Sequence, residues 1–91
     1  MGPIAEAISD KLSRTFQPLR LELSDDSHRH QGHAGHREGG ESHFNLVIEA
    51  HAFSGMSRVA RQRAVYAALK AELAGPVHAL SVKALAPDEA P

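Results

Sequence analysis

Seven histidines and no cysteine set the first limit on the chemistry open to this 91-residue chain. Without a thiol there is no disulfide framework, no thiolate nucleophile and no zinc site of the cysteine type. Any metal held by the chain must therefore sit on nitrogen or oxygen. His28, His30, His33 and His36 crowd one stretch at spacings of two, three and three. Imidazole is the common neutral nitrogen ligand, and a pliable segment can close several such rings around zinc, copper, nickel or iron. The plainer reading is a solvated, histidine-rich loop that holds metal only loosely, because such tracts are a compositional signal. His78 stands apart. Counting by twos from Leu80 and Val82 puts it on the apolar side of a strand. A histidine there is ordinarily a core residue with a satisfied hydrogen bond rather than a ligand. His43 and His51 fall on the outer side of another strand and read as surface residues.

Little in the sequence serves a catalyst, and no enzymatic activity is expected. Glu41, Ser42 and His43 adjoin, but consecutive strand residues point to opposite faces and make no nucleophile–base pair. Asp25 and Asp26 read as a strand-ending turn. No phosphate-binding glycine loop follows a strand and opens a helix. Gly32-His33-Ala34-Gly35 matches Gly-x-x-Gly, yet in a KH domain that loop joins two helices. Here it lies between strands, and the helix-joining region reads Gly55-Met56-Ser57-Arg58, so an RNA clamp is not supported. Arg58, Arg61 and Arg63 make a basic helical run that could meet phosphates or a protein partner, or be a solvated face. A formal charge of −1 with neutral histidines gives no general attraction to nucleic acid near neutral pH. One tyrosine, three phenylalanines and no tryptophan leave little surface for stacking bases.

The scaffold for these residues is legible in the patterning. Pro3 suits a first helical turn, and Ile4, Ile8, Leu12 and Phe16 recur every four residues until Gln17-Pro18 ends the helix. Leu19, Leu21 and Leu23 alternate with Arg20, Glu22 and Ser24, the pattern of a half-buried strand. Residues 25–40, DDSHRHQGHAGHREGG, carry no periodicity and read as a long loop. From His43 onward Phe44, Leu46 and Ile48 face one way and Asn45, Glu49 and His51 the other, predicting a second strand antiparallel to the first. Ser57 caps a helical stretch with an apolar stripe of Val59, Val65, Tyr66, Leu69 and Leu73. Arg58, Arg61 and Arg63 stay exposed in this reading, and a bend near Arg61 is left open. Gly75-Pro76 stops the helix, Val77 to Leu85 forms a third strand, and residues 86–91 are a short tail. A helical crossover favours parallel pairing of the last two strands. The expected fold is α+β, in the order αββααβ, with a three-stranded mixed sheet and helices on one face of a single domain. No apolar run is long enough to cross a membrane, and the absence of a targeting pattern predicts a cytoplasmic protein.

The segments LELSDDSHRHQGHAG, GGESHF, FSGMSRVARQRAVYAAL and VHALSVKALAP, in this order and spacing, resemble the BolA family from Ile4 to Pro87. The resemblance implies the same αββααβ arrangement, similar to a type II KH fold. It further implies a heterodimer with a monothiol glutaredoxin, sharing a [2Fe-2S] cluster or an apo interface. The glutaredoxin cysteine and glutathione would supply the sulfur. The family's C-terminal histidine, a cluster ligand, falls on His78. Its second ligand, three residues after a serine in the loop between the first strands, falls on His30 by way of Ser27, with His33 the competing candidate. Alone, the chain is expected to hold no cluster stably and to be a monomer or weak homodimer. Nitrogen in place of thiolate raises a cluster's reduction potential, as in Rieske centres. Because a protonated imidazole cannot ligate, cluster retention should weaken as the pH falls toward about 6. The family's other implied role is a DNA-binding transcriptional regulator of stress response and cell morphology, acting through the basic helix. Where the family usually carries Arg-His-Arg, this chain has Arg61-Gln62-Arg63, which keeps two charges and loses the proton-linked middle position. Metal buffering by the histidine loop alone is a third, weaker reading.

Overall fold

A computed structural model of the chain describes residues 2–26 and 42–89. Helix α1 (Pro3–Phe16) has proline in its first turn, where the missing N–H costs nothing and the fixed φ is already helical. It ends at Gln17, which takes a left-handed conformation (φ 49°) and donates its N–H to the Ser13 carbonyl. The following Pro18 disfavours the right-handed helical region for Gln17, so the helix cannot continue. Ala5, Ile8 and Leu12 are its buried side, and Phe16 packs against the same core with its ring 4.9 Å from that of Phe53.

The sheet is built from β1 (Arg20–Asp25), β2 (His43–Glu49) and β3 (Ala79–Leu85), in the order β1-β2-β3. Strand β1 runs antiparallel to β2, setting Leu21 against Ile48 and Leu23 against Leu46. Strand β3 runs parallel to β2, with His43 opposite Ala79. Phe44, Leu46 and Ile48 are buried and alternate with half-buried outward residues, as a central strand covered on one face requires. After a short 3₁₀ turn (His51–Phe53), helices α2 (Arg58–Ala68) and α3 (Lys70–Ala74) make the crossover. Phe53, Val65 and Leu69 join Ile8, Leu12, Leu46 and Ile48 in one core. Each such side chain contributes about 1.5–3 kcal/mol of burial. The order is αββααβ with a mixed sheet, as the sequence predicts.

Three details depart from the patterning. The helical stretch breaks at Leu69 (φ −108°, ψ 22°) rather than near Arg61. Leu69 is fully buried there, and an ion pair of 2.7 Å between Lys11 and Glu72 ties α3 back to α1. The buried line of α2 is Arg61, Val65 and Leu69, spaced by four, while Val59 is 56% exposed. The third strand begins at Ala79 instead of Val77. The N–H groups of Gly75 and Val77 both donate to the Glu72 carbonyl, so the chain is still closing α3 at Val77. Helix α2 starts where Ser57 predicts, its hydroxyl accepting the Ala60 N–H at 3.1 Å. Residues 27–40 of the expected histidine loop lie outside the described residues. Among those described, no helix is long and apolar enough to cross a membrane.

Candidate functional site

The chain enters β3 beside the start of β2, and that junction brings two histidines together. Ser42, fully buried, accepts the His78 N–H at 2.8 Å and the Ala79 N–H at 3.2 Å on its carbonyl. The register then sets His43 against Ala79, and the rings of His43 and His78 lie near-parallel with centroids 6.1 Å apart. Ser42 also reaches His43 through its side chain, with Oγ 2.9 Å from Nδ1; this corrects the expectation that the two adjacent side chains point apart, because β2 begins only at His43 and Ser42 lies outside its alternation. On the β1 side, the Asp26 N–H donates to the His43 carbonyl at 2.7 Å, and Asn45 Nδ2 donates to the Asp26 carboxylate at 3.0 Å. The stretch 27–41 therefore leaves the sheet at Asp26 and returns at Ser42, both bonded into this corner. His30 and His33, like His28 and His36, lie outside the described residues.

His78 is exposed, which corrects the apolar-face reading of the sequence. Alternation by twos holds only inside a strand, and His78 precedes β3; sharing one carbonyl acceptor with Ala79, it is turned out of the alternation that buries Leu80. His43 is half-buried on the outer face, and His51 is exposed in the 3₁₀ turn. What the sequence does not disclose is that His43 and His78 are neighbours, since their approach depends on strand register. Among the described residues no group of three or more histidine, aspartate or glutamate side chains is placed to hold a metal ion. Exposed imidazole nitrogen without any thiolate suits a metal site completed by another molecule. The described residues offer imidazole nitrogen and no thiolate, so any iron–sulfur cluster held here would need sulfur ligands from elsewhere.

The arginine run divides as well. Arg58 and Arg63 are exposed, as expected. Arg61 is not, and the reading of it as a solvent-facing contact is corrected: its side chain is 9% exposed. Nε donates to the Met56 carbonyl at 3.0 Å and Nη1 to the Ala84 carbonyl at 3.2 Å. The two terminal nitrogens grip the Glu89 carboxylate, Nη2 to Oε2 at 2.6 Å and Nη1 to Oε1. A guanidinium is forked and permanently charged, so it can satisfy two carbonyls and a carboxylate at once. That bond, together with the Ala86 N–H, holds the Glu89 carboxyl down at about 2, and Glu89 in turn raises Arg61. Lys83 lines the cleft between α2 and β3 with Arg58 and Arg61, a neighbour that helix spacing could not reveal. Tyr66 donates its hydroxyl to the Leu80 carbonyl at 3.1 Å, fastening α2 to β3 close to the histidine corner.

The model of the family described as BolA-like protein matches residues 12–89. The chain belongs to the BolA-like family. A Sinorhizobium protein described as uncharacterised, in the cobS 5′ region, is 48% identical over 87 residues, covering 94% of each chain. BolA-like protein 1 of Bos taurus is 44% identical, and the match covers 96% of this chain but 62% of the bovine one. The DNA-binding transcriptional regulator BolA of Escherichia coli is 42% identical over 79 residues, covering 87% of this chain and 71% of its own length. Among solved structures, BolA1 from Arabidopsis thaliana superposes along the whole of both chains with a TM-score of 0.88 at 34% identity. The BolA domain of SufE1 from the same plant gives 0.86 at 40% identity, covering 97% of this chain and 96% of that domain. Family and fold are thus those that the four sequence segments resemble. This BolA-like chain spans less than two thirds of the bovine relative, so activities of longer relatives are not transferred to it directly.

Proposed function

We propose that this BolA-like protein is a non-catalytic adaptor that docks a monothiol glutaredoxin and lends imidazole nitrogen to a shared [2Fe-2S] cluster. His78 is the first ligand, and His30 the second with His33 its rival. The role lies in iron–sulfur trafficking or in iron, redox and stress signalling. The observation that carries the reading is the exposed His78, anchored through Ser42 beside both ends of the segment that bears His30 and His33. His30 follows four positions after Asp26, whose N–H is bonded to the His43 carbonyl at that corner. When bound, the cluster would supply one-electron redox chemistry. The chain's own part is to present neutral nitrogen at a fixed corner, while glutaredoxin and glutathione bring the sulfur.

Co-expression with a monothiol glutaredoxin tests this directly. A coloured heterodimer should form, and His78→Ala should abolish or shift its visible spectrum. Colourless complexes, or a spectrum untouched by both His78→Ala and His30→Ala, would sink the assignment.

A second reading is supported by the name of the Escherichia coli relative, by the exposed Arg58, which lines a cleft with Lys83, and by the exposed Arg63. It is a DNA-binding regulator whose affinity falls with salt as phosphate contacts are screened. Binding that ignores Arg58→Ala and Arg63→Ala would rule it out.

A further inference from the structure

We propose that strand β1 is the self-association edge of this protein: two copies pair antiparallel through it, about a two-fold axis at Leu21, into one continuous sheet. The two edges of the sheet are unlike. On β3 the Leu85 carbonyl accepts the Ala50 N–H, which turns residues of that parity toward β2 and leaves the backbone groups of Leu80, Val82 and Ala84 facing outward. Helix α2 has taken two of those outward carbonyls, Leu80 through the Tyr66 hydroxyl and Ala84 through Arg61. On β1 the bond from Asp26 to His43 and the strand register direct the N–H and C=O groups of Arg20, Glu22 and Ser24 toward β2. Those of Leu21 and Leu23 therefore face away from it. Among the described residues no further strand pairs with them.

An open edge invites another strand, and the side chains along this one say which strand fits. Leu19, which leads into β1, is 58% exposed, and Leu21 and Leu23 within it are only half-buried. Arg20 and Glu22 stand on the outward face, bonded to each other at 2.7 Å. With Leu21 on the axis, its N–H and C=O are exchanged with those of its own copy. Arg20 then stands opposite Glu22 of the second copy, and Glu22 opposite Arg20. Four charges alternate in sign there, at non-hydrogen-bonded positions where facing side chains lie closest. Leu19 comes opposite Leu23 of the second copy, which covers it. Moving the axis to Glu22 sets like charges against each other, and a parallel pairing in register does so at both positions. The charge pattern thus selects a second copy of this chain and a single register. One pair of short strands buries less than about 1,200 Å², so the dimer is weak and concentration-dependent. The overlap, residues 19–23, ends before Asp26, and the pairing does not depend on the adaptor reading.

The test is sedimentation equilibrium of the full chain from micromolar to millimolar concentration, with amide exchange read at Leu21 and Leu23. The wild type should show a reversible monomer–dimer equilibrium, and its Leu21 amide should exchange more slowly as the concentration rises. Arg20→Glu makes positions 20 and 22 both negative, and Glu22→Arg makes both positive. Each variant alone should dimerise about tenfold more weakly or not at all. Mixed in equal amounts, the two should recover the dimer, because every facing pair is then of opposite sign. The double variant R20E/E22R should dimerise as the wild type does. Both side chains are exposed, so the monomers should keep the wild-type Tm. A wild type that stays monomeric throughout the series overturns the proposal. So does a dimer whose Leu21 amide is unaffected, or one that neither single variant weakens. If the chain alone is monomeric and the Leu21 amide slows only when glutaredoxin is added, the edge serves a different protein and self-pairing is equally overturned.

Discussion

Arg61 and Glu89 close the C-terminal turn onto α2, meeting fork to carboxylate while Arg61 also donates to the carbonyls of Met56 and Ala84. Four hydrogen bonds converge on one side chain, so its removal strands two carbonyls and a carboxylate together. Arg61→Ala should lower the Tm by several degrees in thermal unfolding. Arg63→Ala, on the exposed side of the same helix, should leave it unchanged within error. Equal effects of the two substitutions would show that the clasp contributes nothing.

The clasp also predicts how stability follows pH. Glu89 is held at about 2 in the folded chain, first by its bond to Arg61, against about 4.3 for an unfolded glutamate. The unfolded state therefore binds the proton first as the solution is acidified. The contribution is complete above about pH 5 and is lost progressively as the pH falls toward about 2. Urea midpoints measured between pH 6 and pH 3 should fall more steeply for the wild type than for Glu89→Gln. Glu22, also lowered by its bond to Arg20, is present in both proteins and cancels from that comparison.

Ligation and folding should separate at His78. Its side chain is exposed and its anchoring bond is made by the backbone N–H. His78→Ala should change stability by no more than about 0.5 kcal/mol while removing cluster absorbance from the heterocomplex. Comparing His30→Ala with His33→Ala in that complex assigns the second ligand, because only one should alter the spectrum.

If the DNA reading holds, the phosphate contacts include Arg58 and Arg63, the exposed members of the arginine run. Each Arg→Ala change at these positions should reduce the salt slope of binding by about one. Arg61→Ala should act through stability alone, with the slope intact at temperatures where the variant is folded.

In the core, Phe53 is fully buried and its ring lies against that of Phe16. Phe53→Ala should cost about 3–5 kcal/mol in denaturant unfolding. Phe16→Ala, at a half-buried position, should cost less.

Much of this was legible in the residue pattern. The four-residue spacing of Ile4, Ile8, Leu12 and Phe16 located α1, and alternation in Phe44, Leu46 and Ile48 located the central strand. Arg61 misled because its charge suggested solvent. Yet it stands four residues before Val65 and eight before Leu69, on the buried line of the helix. A charge at such a position needs a partner, and Glu89 is too remote in sequence for periodicity to connect the two. The break at Leu69 carries no glycine or proline, so nothing local announces it. The closeness of His43 and His78 was hidden for the same reason as the Arg61 clasp: it follows from register between strands, not from spacing along one.

The parallel pairing of β2 with β3 bears on when the corner exists at all. Strand β3 is the last element, and it reaches β2 only after the α2–α3 crossover has been made. Contacts between distant stretches of chain form late in folding, after loop closure. The hairpin of β1 and β2 could assemble early with His43 in place and no neighbouring ring. A nascent or C-terminally truncated chain would thus lack the seated His78, and a partner that docks there would engage only molecules whose folding is finished.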